Sequence, residues 1–223
     1  SAAERIARLG EPKESIYVIG SPELDIHAKP SGVSIETVRD RYDIPFSDYG
    51  ICTFHPVTSE QDTMAEQADN LFGALDASGK NFVVILPNND PGSDDIVAAI
   101  NKLPTDRFRI LPSMRFSHFS ELMKNAACIV GNSSAGVREA PFLSIPSLDV
   151  GTRQNARAQS TSITIVRAGE FENILAFLEQ NWGKRYPAND DFGQGSASES
   201  FVEIMGQDSF WQAKLQKAFV DHG

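Results

Sequence analysis

A chain of 223 residues, 41% of them apolar, is long enough to bury a full core as one large domain, or as one domain plus part of another. Its formal charge of −10, from 20 Lys+Arg against 30 Asp+Glu with no long basic stretch, argues against nucleic acid or an anionic membrane as the main partner. The longest apolar runs, such as Phe82 to Leu86, are strand-length and cannot span a bilayer, and the start Ser1-Ala2-Ala3-Glu4-Arg5 lacks the apolar centre of a signal peptide. Cys52 and Cys128 each lie inside an apolar run, so the expectation is a reduced, cytoplasmic setting with no structural disulfide.

The elements alternate along the chain. Ile16-Tyr17-Val18-Ile19 reads as a strand ended by Gly20, and Ser34 to Tyr42 as a short helix capped by Ser34. Tyr49 to Phe54 is the next strand. Thr58-Ser59-Glu60-Gln61 has the form of a capping box, followed by Met64, Ala68, Leu71, Phe72 and Leu75 at helical spacing. Phe82 to Leu86 is continuously apolar, which suits a parallel strand covered on both faces. Ser93 starts a helix carrying Ile96, Val97 and Ile100, and the strand Phe108 to Leu111 follows. A helix from about Ser117 to Ala126 leads to the strand Cys128-Ile129-Val130. Ser147 to Val150 and Ile163 to Val166 are the last strands, Phe171 to Trp182 is an amphipathic helix, and a terminal helix runs from about Asp208 to Asp221. Strands separated by helical segments predict an α/β fold, a Rossmann-like doubly wound parallel sheet.

In such sheets ligands sit beyond the carboxyl ends of the strands. Three polar elements fall there: His55 after the strand ending at Phe54, Asn88-Asn89-Asp90 after Leu86, and Gly131-Asn132-Ser133-Ser134-Ala135-Gly136-Val137-Arg138-Glu139 after Val130. The last is the most telling. Small residues there leave backbone N–H groups unshielded at the positive end of a helix, beside two serine hydroxyls. Arg138, Arg153 and Arg157 crowd the same region of an otherwise acidic chain, so a multiply charged anion is the expected partner. Plainer readings stand beside these: a tight strand-to-helix connection with a serine cap, a histidine satisfied at a sheet edge, and a solvated arginine face. Glu139 reads either as a first-turn acid or as an acceptor for ribose hydroxyls. The run Asn88 to Asp95 has the composition of a calcium loop without EF-hand spacing, and a turn capped by Ser93 is preferred; no metal is expected.

Taken in order, Gly20-Ser21-Pro22-Glu23-Leu24-Asp25, His55-Pro56-Val57-Thr58, Pro87-Asn88-Asn89-Asp90-Pro91-Gly92-Ser93, Gly131 to Glu139 and Gly151-Thr152-Arg153-Gln154 resemble the hydrolysing UDP-N-acetylglucosamine 2-epimerases. Trp182-Gly183-Lys184-Arg185-Tyr186-Pro187 and Phe192-Gly193-Gln194-Gly195 resemble the carboxy-terminal end of that family. The resemblance implies the carboxy-terminal domain of a GT-B-like fold, with 1–28 a remnant of the amino-terminal domain, 29–195 the UDP-binding domain and 196–223 helices that pack back on the first domain. It implies elimination of UDP from a UDP-N-acetylhexosamine and hydration of the glycal with inversion at C2, feeding sialic or legionaminic acid synthesis, with no cofactor.

By motif match, Asn132, Ser133, Ser134 and Gly136 with the adjacent N–H groups hold the diphosphate of a UDP-sugar, Glu139 the ribose, and Arg153 with Arg157 the phosphate charge. Asn88 lines the cleft, and His55 supports catalysis there. Asn155-Ala156-Arg157 departs from the family by placing alanine where glycine is usual, which weakens the carry-over to Arg157. The general acid and base carboxylates of the family fall in a part this chain lacks, so the expectation is a fragment inactive by itself, with a second copy of the chain as a candidate partner for its terminal aromatics. A GT-B glycosyltransferase donor domain and a non-catalytic nucleotide-sugar sensor are the alternatives.

Overall fold

The computed structural model describes residues 2–155 and 160–213. Two compact units emerge, one formed by Pro30–Asp190 and the other by Ser1–Lys29 with Asp191–Gly223. Among the described residues the strands are β1 (Gly50–Thr53), β2 (Phe82–Ile85), β3 (Phe108–Leu111), β4 (Ile129–Gly131), β5 (Ser147–Val150) and β6 (Ile163–Val166). The helices are α1 (Ala2–Arg8), α2 (Glu23–Ala28), α3 (Ile35–Arg41), α4 (Met64–Ala77), α5 (Ser93–Ile100), α6 (Phe116–Asn125), α7 (Ser134–Phe142), α8 (Phe171–Asn181), α9 (Ala197–Met205) and α10 (Asp208–Trp211).

The six strands form one sheet in the order β3-β2-β1-β4-β5-β6, every neighbouring pair parallel. Alternation along a strand sends successive side chains to opposite faces. Phe82 and Val84 of β2 join a core with Cys52, Val130 and Leu148 under α4, α5 and α8, whereas Val83 joins one with Ile51 and Ile129 under α3, α6 and α7. Covered on both faces, the central strands are apolar without a break, as the run at Phe82 anticipates. Helix α4 buries Met64, Ala68, Leu71, Phe72, Ala74 and Leu75, a stripe at helical period. The Rossmann-like α/β expectation therefore holds.

The strand order reverses between β1 and β4. Connections from β1 lead toward β2 and β3, those from β4 toward β5 and β6, so the loops after β1 and β4 diverge and leave a crevice at the carboxyl edge.

In the smaller unit, the Asp25 carboxylate accepts from the backbone N–H groups of Ala197 (2.8 Å) and Ser198 (2.7 Å) and from the Ser198 hydroxyl (2.6 Å). These bonds, the Ser198 hydroxyl foremost, hold the Asp25 carboxyl below its ordinary value. The carboxylate thus caps the amino terminus of α9.

Several local expectations fail. Ile16 to Ile19 is not a strand: Ile16 is extended, but no neighbour supplies a ladder among the described residues, and Val18 is exposed. The Thr58 capping box does not form. Thr58–Thr63 is a 3₁₀ turn with Glu60 off helical geometry, and Val57 precedes it without any side-chain cap. Glu60 is drawn instead to the Thr152 hydroxyl and to Gln67 Nε2 (2.9 Å). Ser93 is the first residue of α5 and not its cap, a position taken by Gly92. The terminal helix is described only as the four residues of α10; Leu215, Phe219 and Val220 lie outside the described residues. Ser34 does cap α3, accepting from the Thr37 N–H at 3.2 Å.

Gly131 ends β4 with φ 129°, and a Cβ on it would overlap the Thr53 carbonyl oxygen. Both the backbone angle and the contact demand glycine. Gly131→Ala is expected to lower the unfolding free energy by about 3 kcal/mol or more, whereas Gly169→Ala, with open space around it, should change it by less than about 0.5 kcal/mol. Denaturant titration of the two variants makes the comparison.

Candidate functional site

The crevice between the β1 and β4 loops is floored by Asn132, which is 1% exposed. Its side-chain amide faces the backbone of His55 with both ends: Oδ1 accepts from the His55 N–H at 2.7 Å, and Nδ2 donates to the His55 carbonyl at 2.8 Å. Its own N–H donates to the Thr53 carbonyl at 3.1 Å. Its carbonyl accepts from Gln154 Nε2 at 2.7 Å and from Arg153 Nη1 at 3.2 Å. One residue thereby joins the loops after β1, β4 and β5.

His55 is half-buried, and the Asn88 backbone N–H donates to its Nδ1 at 3.2 Å. Burial, then the nearby Arg153 guanidinium, hold its pKa below the ordinary histidine value against smaller opposing effects of Asp90 and Asn88. The ring is therefore neutral at pH 7 with its proton on Nε2.

The turn itself is built for a helix start. Ser133 caps α7, its hydroxyl accepting from the Ala135 N–H at 3.4 Å. Helical Gly136 sits so close to β5 that a Cβ would stand 2.8 Å from the Ser147 hydroxyl, so α7 approaches the sheet closely. Ser133 and Ser134 are half-buried at the helix mouth, with Arg153 half-buried in the loop beyond β5. The first N–H groups of α7 lack partners within the helix, and its dipole adds positive potential. With Arg153 nearby, this arrangement has the chemistry to hold an anion.

The structure thus gathers His55, the Asn88 loop, Asn132, Ser133 and Arg153 at one crevice. Asn132 is placed differently from a ligand contact, because each of its polar groups is engaged within the protein. Glu139 lies in α7 beyond Gly136 and is buried. Arg157 lies outside the described residues. No group of three or more His, Cys, Asp or Glu able to hold a metal occurs among the described residues. No helix there is long and apolar enough to cross a membrane.

Residues 1–206 match the family described as UDP-N-acetylglucosamine 2-epimerase. The chain belongs to this family. It is 41% identical over 225 aligned positions to the UDP-N-acetylglucosamine 2-epimerase of Neisseria meningitidis serogroup B, covering 99% of this chain and 59% of that protein. It is 27% identical to the UDP-N,N'-diacetylbacillosamine 2-epimerase (hydrolyzing) of Legionella pneumophila, covering 92% of this chain and 55% of that one. The chain thus spans between half and three-fifths of each of these two relatives. Among solved structures, the UDP-GlcNAc 2-epimerase of Methanocaldococcus jannaschii in complex with UDP-GlcNAc and UDP shares the fold, with TM-score 0.72 over 92% of this chain and 58% of that one at 19% identity.

Two further residues lie beside this crevice. The motif Gly151 to Gln154 carries no local signal of a role for Gln154, yet its amide shares the Asn132 carbonyl with Arg153. Asp149, 3% exposed on β5, has a signal in the sequence: an acid between Leu148 and Val150 in a strand buried along its whole length.

A folded-state pKa below the ordinary value means that protonating His55 costs stability, which is present above the unfolded value and declines as pH falls through the window below about 6.5. His55 is expected to titrate below that midpoint, and the Asn88 amide resonance should move with it as its acceptor is lost. Histidine and amide NMR titrations check both.

Proposed function

We propose that this chain is the UDP-binding part of a hydrolysing UDP-N-acetylglucosamine 2-epimerase. The substrate is UDP-N-acetylglucosamine or a diacetamido analogue. Loss of the C2 proton and rupture of the C1–O bond release UDP and leave a glycal; addition of water then gives the free sugar with C2 inverted, an N-acetylmannosamine-type product. The observation that carries this reading is the capped, glycine-opened mouth of α7 at the point where strand order reverses, tied through Asn132 to His55 and Arg153. The Legionella relative is described as hydrolysing, and the Methanocaldococcus neighbour was crystallised with UDP-GlcNAc and UDP, which supports a UDP-sugar ligand.

The chemistry fits the residues. As the C1–O bond breaks, the departing UDP oxygen gains negative charge. N–H groups, hydroxyls and a guanidinium that bind this charge more tightly than the intact bond lower the barrier. Ser133, Ser134 and the α7 amino terminus take the diphosphate, Arg153 its charge and Glu139 the ribose. Neutral His55, its Nε2–H available as a donor, lines the cleft with Asn88. Asn132 acts by positioning: it fixes the β1 loop against the phosphate turn so that both meet one ligand. The proton transfers at C2 and on the glycal fall to carboxylates of another domain of the active enzyme.

Replacing Ser133 and Ser134 together by alanine is expected to weaken UDP binding by at least about tenfold in calorimetry, with the fold retained; unchanged affinity removes the basis for the diphosphate assignment. The 223-residue chain incubated with UDP-N-acetylglucosamine is expected to bind it without releasing N-acetylmannosamine. Release of free sugar overturns the division of labour between binding and proton transfer.

A further inference from the structure

Unpartnered buried polar side-chain atoms gather beside the phosphate turn. Among the described residues, Thr53 Oγ1, Ser147 Oγ, Asp149 Oδ1 and Gln154 Oε1 are buried with no hydrogen-bond partner, and all four belong to β1, β5 or the loop after β5. Three sequence positions share one row of the sheet. Thr53 is in register with Gly131, and Gly131 with Asp149. Asp149 therefore stands one strand spacing, about 4.8 Å, from the residue that opens the turn.

The face on which Asp149 stands is also fixed. Ser147 and Asp149, two apart on β5, point to the same side. Ser147 is the residue that a Cβ at Gly136 would strike, so this is the side that α7 covers. Asp149 is two residues nearer the carboxyl edge than Ser147, and it lies toward the amino-terminal turn of α7, where the anion is held.

An acid in this place is poorly served. Its neighbours in the row are Gly131 on β4 and Ile165 on β6, neither of which donates to it through a side chain. The charged residues on the elements packed against β5 are Arg138 and Glu139 of α7 and Arg153 of the following loop, while Arg157 lies outside the described residues. None of them offsets its burial, which alone pushes the Asp149 carboxyl up to about 6. Ionised near pH 7, it sets a negative charge under a turn that otherwise attracts anions.

We propose that Asp149 is an electrostatic brake on the phosphate turn: the ionised carboxylate opposes a diphosphate at the α7 amino terminus, so binding the anion draws a proton from solvent onto Asp149. The brake rests on the diphosphate reading of the turn given above. Two negative charges about 10 Å apart in a partly buried setting oppose each other by roughly a tenfold factor in affinity. Anion affinity is then full where Asp149 is protonated, falls as pH rises through its titration, and levels off once the bound form is ionised too. Asp149 sets affinity without touching the reacting atoms, and it gives the site a means of letting UDP go at neutral pH.

The test compares UDP binding by the wild-type chain and Asp149→Asn in calorimetry at about pH 5 and about pH 8, since the ionisations of UDP and His55 are common to both proteins. The expected result is affinities within about twofold at the lower pH and about tenfold tighter binding by the variant at the higher. Equal affinities at both pH values, with UDP bound, overturn the brake and leave the diphosphate reading intact. Failure of both proteins to bind UDP overturns that reading and the brake together. Should Asp149→Asn not fold, carbon-13 NMR of the wild-type Asp149 carboxyl decides the matter: its titration midpoint is expected to rise by about one pH unit on saturation with UDP, and an unmoved midpoint overturns the brake.

Discussion

Everything at the carboxyl edge of this sheet depends on how closely β4 runs beside β1 before the two loops part. At Gly131 the chain comes so near the Thr53 carbonyl that no side chain fits, and the left-handed backbone there turns Asn132 across the gap. The amide of Asn132 then does for two diverging loops what ladder hydrogen bonds do for two strands. It satisfies the His55 N–H and carbonyl at a place where the ladder has ended. Without that pairing, the strand reversal would leave a crevice with unsatisfied buried backbone at its floor. With it, both backbone groups of His55 are paired.

The electrostatics of the site run against those of the chain. A net charge of −10 repels an anion at long range, and attraction has to come from short-range, directed groups. At the diphosphate site proposed above, the α7 amino terminus, the serine hydroxyls and Arg153 supply it in the places where screening is weakest. Burial is the main reason His55 stays neutral, since it disfavours the imidazolium, and the positive Arg153 adds to that. Asp149 is the counterweight. Its carboxyl is buried beside the turn without a donor for Oδ1, a costly arrangement that a purely structural residue at this position would not need.

Much of this was legible in the residues, because the strongest signals are local. Phe82 to Ile85 reads as a two-sided buried strand, since β-branched and aromatic side chains without interruption have no other comfortable place. The stripe on α4 and the cap at Ser133 depend on spacing alone. Local signals also mislead where a distant partner competes. Thr58 to Gln61 has the letters of a capping box, but Glu60 inside it leaves helical geometry and bonds Thr152 and Gln67, and the segment becomes a 3₁₀ turn. Ile16 to Ile19 has strand composition, yet a strand exists only where another strand answers it.

The sequence by itself determined the α/β alternation, the small-residue turn after the fourth strand and the family, for each of these is written in contiguous residues whose spacing or order is enough. Only the tertiary structure decided what those residues do to one another. That Asn132 spends its side chain on His55, that Gln154 and Arg153 share one carbonyl, and that Asp149 stands in a row with Gly131 all follow from register between strands that are far apart in the chain. Register is set by the packing of both sheet faces at once, and no local pattern of residues encodes it.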